Sequence, residues 1–353
     1  MKWTIHRDSI VAWKDMLEAC RLAERSIDLE QFIFVPDDIG KQFLEVFRQK
    51  TKQGVRVRLL WDAAGSFHFR GSAIVEELKK DGIELRFFKT LVPRAIWNHR
   101  LWFFRNHRRS LVIDDAIAYT GSASIWEETH DWTETHIRIE GAVVQAITEA
   151  FDAMWSRANK RVYRWKRKAP EVFDEFSYVT NSPVRKMRYL YKALYDAISN
   201  SKESILITTP YFSPNHTLLR ELKRARARGV DITLLMPRTG DHIYVDIGGH
   251  SFFDQLLRAG IHIYLYEAGM LHSKSVIVDN WATIGTLNFD NVSFRYNFEA
   301  NIVTTNFEFV TEFRALFEAD KAKSTLLTIE EWKKRPLAKK IAEWLIVPIR
   351  PLL

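Results

Sequence analysis

Ser26-Ile27-Asp28-Leu29-Glu30-Gln31-Phe32-Ile33-Phe34-Val35-Pro36-Asp37 reads as a buried strand that runs into a proline turn. A basic helical stretch follows, then a glycine stop and a second strand, Gly54-Val55-Arg56-Val57-Arg58-Leu59-Leu60. Farther along, Ser204-Ile205-Leu206-Ile207-Thr208-Thr209-Pro210-Tyr211-Phe212-Ser213-Pro214-Asn215 repeats the phrase, with its own basic helix and Gly229-Val230-Asp231-Ile232-Thr233-Leu234-Leu235. Strand, helix, glycine, strand is a βαβ unit, which predicts a largely parallel sheet covered by helices. Two copies predict an α/β chain built by duplication of one domain.

Each copy then delivers the same chemical phrase. The first is Asn106-His107-Arg108-Arg109-Ser110-Leu111-Val112-Ile113-Asp114, continuing to Gly121-Ser122-Ala123-Ser124. The second is Leu271-His272-Ser273-Lys274-Ser275-Val276-Ile277-Val278-Asp279, continuing to Gly285-Thr286-Leu287-Asn288. Of 11 histidines, four (His68, His107, His136 and His272) have a cation two residues on, but only His107 and His272 also have Asp at +7. Chance would supply about a tenth of one such match in a chain of this composition, so two in corresponding places form a strong signal. On a strand, His107 and Arg109 share one face, as do His272 and Lys274, so each imidazole and its cation point at one site. Glu134 and Glu299 follow the two histidines at the same offset. A carboxylate that accepts the proton of one ring nitrogen fixes the tautomer and frees the other nitrogen to attack or donate. His136 is worth watching because it sits close to Glu134.

Composition bounds the function. The chain has 353 residues, 46% hydrophobic and 27% charged, which excludes wholesale disorder and a multi-span membrane protein. One cysteine, Cys20, excludes an intrachain disulfide framework and any Cys-rich zinc or iron-sulfur site, and fits a reducing compartment. No HExxH motif or Cys-His cluster is present, so no metal and no cofactor is expected. Lys and Arg number 52 against 44 Asp and Glu, a net charge of +8, which makes nucleic acid or an anionic membrane face the plausible partners. The start, MKWTIHRDSI, lacks the apolar core of a signal peptide, and no stretch approaches the ~20 apolar residues of a spanning helix.

The duplicated motif resembles the phospholipase D superfamily. Wider phrases are similar to bacterial cardiolipin synthases of the short form without N-terminal transmembrane helices: Trp132–Gly141, Thr209-Pro210-Tyr211-Phe212, Gly269–Lys274 and Gly285–Glu299. The resemblance implies two pseudo-symmetric α-β-α sandwich domains with a shared active site at their interface. It implies a catalytic set of His107, Arg109, Asp114, His272, Lys274 and Asp279, phosphate binding by Ser124 and Asn288, and histidine orientation by Glu134 and Glu299. One histidine, His107 by the resemblance, attacks phosphorus and the other protonates the leaving alkoxide. Arg109 stands where the family usually has Lys, and Ser124 where Asn is common. An arginine presents a planar fork and not a point charge, so the two half-sites are expected to hold phosphate differently. The expected division is 1–157 and 181–328 for the two domains, 158–180 for a basic linker and 329–353 for an amphipathic basic tail.

Catalytic residues of this kind do not separate lipid from nucleic acid, so the choice rests on surfaces. Leu91–Arg105 alternates aromatics with cations, and Arg157–Lys168 is basic without an acid. In the tail, apolar positions 337, 341, 344, 345 and 348 follow helical spacing beside Lys339 and Lys340, a pattern suited to lying in a bilayer interface or to docking on its own domain. The expected partners are therefore an anionic phospholipid (phosphatidylglycerol) and a membrane surface, met from the cytoplasmic face by a peripheral protein, with nucleic acid disfavoured. The leading expectation is a phosphatidyltransferase making cardiolipin from phosphatidylglycerol through a phosphohistidine. A phospholipase D hydrolase, a metal-independent phosphodiesterase or nuclease, and a non-catalytic lipid-binding relative are the alternatives. The sequence leaves the oligomeric state open, and suggests 64–72 or 238–252 as lid loops.

Overall fold

The computed structural model describes residues 1–69, 71–88, 104–158 and 169–352. In the first half, β1 (Lys2–Asp8), β2 (Ser26–Gln31), β3 (Arg56–Asp62), β4 (Glu84–Phe88), β5 (Ser110–Ile113), β6 (Ile117–Gly121) and β7 (Thr133–Glu140) form one sheet ordered β1-β7-β6-β5-β2-β3-β4. The second half supplies β8 (Phe176–Asn181), β9 (Ser204–Thr208), β10 (Phe212–Ser213), β11 (Asp231–Pro237), β12 (His262–Tyr266) and β13 (Ser275–Val278). It continues with β14 (Trp281–Gly285), β15 (Phe289–Asp290), β16 (Glu299–Thr304) and β17 (Ser324–Leu326). Apart from β10 and β15, which pair with each other, these form a sheet ordered β17-β12-β11-β9-β13-β14-β16-β8. Without β17 the two orders are the same, strand for strand.

The sheets are mixed, which corrects the expectation of a largely parallel sheet. β2, β3 and β4 run parallel, as do β9, β11 and β12, whereas β5, β6 and β7 and their counterparts pair antiparallel. The strand after each histidine turns straight back on itself, and a turn of a few residues can join only antiparallel strands.

Several helices begin where polar side chains cap them. Asp8 caps α1 (Ser9–Leu22), Asp37 accepts from the Gly40 N–H to cap α2 (Asp38–Lys52), and Ser72 precedes α3 (Ala73–Lys80). α4 (Val143–Ala158) closes the first half. In the second, α5 (Tyr189–Asn200) is followed by α6 (His216–Ala227), where Asn215 repeats the part of Asp37, and then by α7 (Ile243–His250), α8 (Phe253–Arg258), α9 (Asn291–Arg295) and α10 (Phe307–Lys321). The tail forms α11 (Ile329–Lys333), capped reciprocally by Thr328 and Glu331, and α12 (Leu337–Leu345).

Each half has its own core, with Phe34, Phe43, Leu59 and Trp61 in one and Leu194, Leu218, Phe253 and Ile263 in the other. A third core lies between the sheets, where Val112, Ile137 and Ile147 of the first half meet Leu206, Ile277, Ile284 and Ile302 of the second. Each such side chain contributes about 1.5–3 kcal/mol when fully buried, so this shared layer fixes the halves against each other. A polar brace adds register: the Arg7 guanidinium donates to Ser273 Oγ (3.1 Å) and also bonds Thr135 and Asp320. Among the described residues no helix is long and apolar enough to cross a membrane. Of the aromatic-basic segment, residues 91–103 lie outside the described residues, as do residues 159–168 of the basic run.

Candidate active site

His107 and Arg109 lie in the extended segment that leads into β5, and His272 and Lys274 in the one that leads into β13. They precede the strands, and do not sit on them as the spacing predicts, because each segment first pairs with the other half. The His107 N–H donates to the Phe298 carbonyl (3.0 Å) and the Phe298 N–H to that of Arg105 (2.9 Å). Likewise the His272 N–H donates to the Thr133 carbonyl (2.8 Å) and the Thr133 N–H to that of Met270 (2.8 Å). Phe298 and Thr133 each precede a glutamate, so the bridge delivers a carboxylate to the imidazole.

The equal offsets do not say which glutamate serves which histidine; the structure crosses them. His107 Nδ1 lies 3.0 Å from both oxygens of Glu299, and His272 Nδ1 lies 2.7 Å from Glu134. Thr286 Oγ1 donates to Glu299 at 2.6 Å. All four residues are buried, and each imidazole thereby keeps Nε2 for chemistry. The cations sit beside those nitrogens: Lys274 Nζ is 2.6 Å from His272 Nε2, and Arg109 Nη2 is 3.5 Å from His107 Nε2. A glycine is required at the end of β6 and of β14. A Cβ at Gly121 would come within 2.4 Å of the Thr135 carbonyl oxygen, and one at Gly285 within 2.3 Å of Asn301 Oδ1.

Burial sets the protonation states. It lowers the His107 pKa, against the pull of Glu299, and lowers that of His272 to about 4 against the pull of Glu134. Burial also lowers Lys274 to about 7. Although burial opposes it, Glu134 is held below the usual carboxylate range by His272 and Lys274. At neutral pH the imidazoles are therefore neutral, and Glu134 and Glu299 are faced by Arg109 and Lys274.

Ser124 accepts from Arg109 Nε (3.2 Å), so it positions that guanidinium. Asn288 follows β14 as Ser124 follows β6, and its buried Oδ1 has no partner among the described residues. Asp114 and Asp279, for which the resemblance implies a catalytic part, do not touch the two histidines among the bonds of the site. Each lies at the far end of its strand, seven residues and about 20 Å of extended chain from its histidine. Asp114 accepts from the N–H groups of Glu24, Arg25 and Ser26 (2.8, 2.7 and 2.8 Å), and Asp279 from those of Lys202, Glu203 and Ser204 (2.8, 2.9 and 2.9 Å). They staple the turn after the strand to the start of the neighbouring one. His136 lies buried beside the site: burial lowers its pKa to about 3, and its ring nitrogens have no partner among the described residues.

Other residues of the site carry no spacing signal. Phe32 meets the His107 ring edge-on at 4.8 Å, and Trp132 meets His272 at 4.9 Å. Tyr211, its ring 6.4 Å from that of His272, donates to Asp241 (2.6 Å), which places the 238–252 segment beside the site; that segment holds helix α7 (Ile243–His250) and is not the loop expected from the sequence. Behind His107, Asp62 accepts from Arg105 and from the Asn106 N–H, and Glu30 from Asn106 Nδ2 (2.7 Å). The doubled Ser/Thr after Gly121 and Gly285 was the one available hint to Thr286. Among the described residues no cluster of His, Cys, Asp and Glu has the makings of a metal site.

The chain matches the family described as cardiolipin synthase, PLD-like domain, over residues 16–155 and 194–321, one match in each half. It is 30% identical to a cardiolipin synthase of Clostridium perfringens, over 99% of this chain and 76% of that protein. It is 33% identical to the major cardiolipin synthase of Bacillus subtilis, over 94% of this chain and 71% of that one. Among solved structures, a phosphatidylserine synthase of Haemophilus influenzae superposes with a TM-score of 0.76 over 99% of this chain and 95% of that one, at 14% identity, a likeness of fold.

Proposed function

Because the chain belongs to the cardiolipin synthase family of PLD-like proteins, we propose that it makes cardiolipin from phosphatidylglycerol in two displacements through a phosphohistidine on His107. It is a phosphatidyltransferase of the phospholipase D superfamily, and its substrates are phospholipids. The crossed arrangement of two imidazoles, two carboxylates and two cations around one site carries this reading.

In the first step His107 Nε2 forms a bond to phosphorus while the bond to the headgroup glycerol oxygen breaks, and His272 gives its Nε2 proton to that oxygen. Glycerol leaves. In the second, the headgroup hydroxyl of another phosphatidylglycerol attacks phosphorus, its proton passes to His272, and the P–N bond breaks to release cardiolipin and free His107. Arg109 and Lys274 face the charge that builds on the nonbridging oxygens, with Ser124 steadying Arg109 and Asn288 offering its amide. His107 suits the nucleophile because its Nε2 is less encumbered, at 3.5 Å from Arg109, than that of His272, at 2.6 Å from Lys274. The negative charge of a bound phosphodiester favours uptake of a proton in the site, the one His272 must donate.

Phosphatidylglycerol is a bilayer lipid, so the protein works as a peripheral protein, on the cytoplasmic face of the membrane. The first domain runs to the end of α4 at Ala158 and the second begins at β8 (Phe176), five residues before the expected start at 181, because β8 pairs with β16 in the second sheet; the tail follows at 329–353. Incubation with labelled phosphatidylglycerol in EDTA tests the reading: cardiolipin plus glycerol supports it, phosphatidic acid would mean water is the acceptor, and no product refutes it.

A further inference from the structure

Building on that lipid-transfer reading, we propose that α12 and the turn after it, together with the start of α7, form the surface that docks on an anionic bilayer. α12 is attached to the body by its polar side. Glu343 is buried and accepts from Arg335 Nε (2.9 Å) and Nη2 (2.7 Å), and Ile346 is buried on the same side. Arg335 stacks 4.1 Å from the ring of Trp332, which is itself buried against Phe253. Beyond the helix, Arg350 donates to the Ser251 carbonyl (2.9 Å) and its own carbonyl accepts from Ser213 Oγ (3.3 Å). The tail is thus fixed to the second half at both ends.

The opposite face of α12 points away from the protein, and it is the apolar one. Leu337, Ile341, Trp344 and Leu345 are 71%, 50%, 73% and 61% exposed, and Val347, Ile349 and Leu352 extend the patch. A helix at the edge of a water-soluble body turns such a stripe inward, so its outward placement marks a surface that meets something apolar. Ile243 and Tyr244, 67% and 70% exposed at the start of α7, belong to the helix against which α12 packs.

Charge says what the patch meets. Lys333, Lys334, Lys339 and Lys340 are exposed around it, and Lys340 lies one turn from both Leu337 and Trp344. Apolar residues bordered by tryptophan and lysine match the depth profile of an anionic leaflet, with hydrocarbon below and headgroup charge above. A second copy of the chain would bring the same lysines against these, a like-charge juxtaposition. Position agrees, because Tyr211 contacts both His272 and His242, the residue before Ile243, so the patch adjoins the mouth of the site.

The test uses the full-length protein and phosphatidylcholine vesicles with and without phosphatidylglycerol. Wild type is expected to sediment with the anionic vesicles, and Ile341→Glu/Trp344→Glu, changed only at exposed positions, to bind them at least about tenfold more weakly. Turnover of the double variant on short-chain phosphatidylglycerol below its micellar concentration is expected to stay within about twofold of wild type. Unchanged vesicle binding overturns the proposal, and so does a dimeric wild type beside a monomeric variant, which would show the face covered by a second copy. If vesicle binding falls while neither protein turns over the short-chain lipid, the docking surface stands and the functional reading fails.

Discussion

Replacing His272 by alanine is expected to split the reaction into a half that survives and a half that stops. Its imidazole is held between Glu134 (2.7 Å) and Lys274 (2.6 Å), where it can give a proton to the leaving glycerol oxygen and later take one from the incoming hydroxyl. General acid catalysis contributes about 10²–10⁴ in rate, or ~3–5 kcal/mol. The upper end applies here, because the substitution also strips buried Glu134 of its partner and leaves Lys274 to balance it. On phosphatidylglycerol the variant should therefore lose about 10⁴ in kcat. A p-nitrophenyl ester of phosphatidic acid departs without a proton, so its first step should slow by only about tenfold. Stopped-flow absorbance should then show one equivalent of p-nitrophenolate per site, followed by a stall, because no base remains to activate the acceptor. Mass spectrometry of the stalled protein should find the phosphatidyl group on His107, and His107→Ala should give no burst. A burst from His107→Ala with none from His272→Ala would reverse the assignment, and a burst from both would rule out a covalent histidine.

The remaining expectations use the same contacts. Glu299→Gln places an amide that can donate to His107 Nδ1, which moves the ring proton to Nε2 and removes the attacking lone pair; the p-nitrophenolate burst should fall by about 10³, whereas Glu134→Gln should leave it nearly intact. Since burial brings Lys274 down to about 7, kcat/KM should decline as pH rises through that value, and Lys274→Arg should remove this limb from the profile. Asp114→Ala or Asp279→Ala leaves three backbone N–H groups without their acceptor and should cost about 1–3 kcal/mol in thermal or urea unfolding, with kcat kept within about tenfold. Backbone hydrogen bonds hold both carboxyl pKa values down although burial opposes this, so their contribution is present above the unfolded value near 4. It is lost as pH falls through the lower folded values, and the gap between wild type and variant should close only in acid.

Much of the fold is legible in short windows. The repeat at Ser26–Leu60 and Ser204–Leu235 shows as hydrophobic runs closed by the same turn and cap residues, because strand and helix periods are local properties. The parallel sheet expected from it was incomplete, since the tight turns after Ile113 and Val278 belong to hairpins that a βαβ reading overlooks. Phe32, Trp132, Tyr211 and Asp241 escaped because aromatic and acidic residues are common and their distances along the chain say nothing of a shared wall.

By itself the sequence determined the duplication, the two imidazole–cation pairs and the two glutamates, since alternation of side chains and equal offsets survive in one dimension. Tertiary structure decided that each histidine is oriented by the opposite half, that Asp114 and Asp279 accept from the backbone at the start of the neighbouring strands, and that α12 shows its apolar face to the outside. Those choices depend on how one sheet docks on the other through the core of Val112, Ile137, Ile277 and Ile284, and on which side of α12 Arg335 grips. The His107–Glu299 contact joins residues 192 positions apart, beyond the reach of any local periodicity, and the Arg335–Glu343 grip decides which face of α12 a local pattern leaves open.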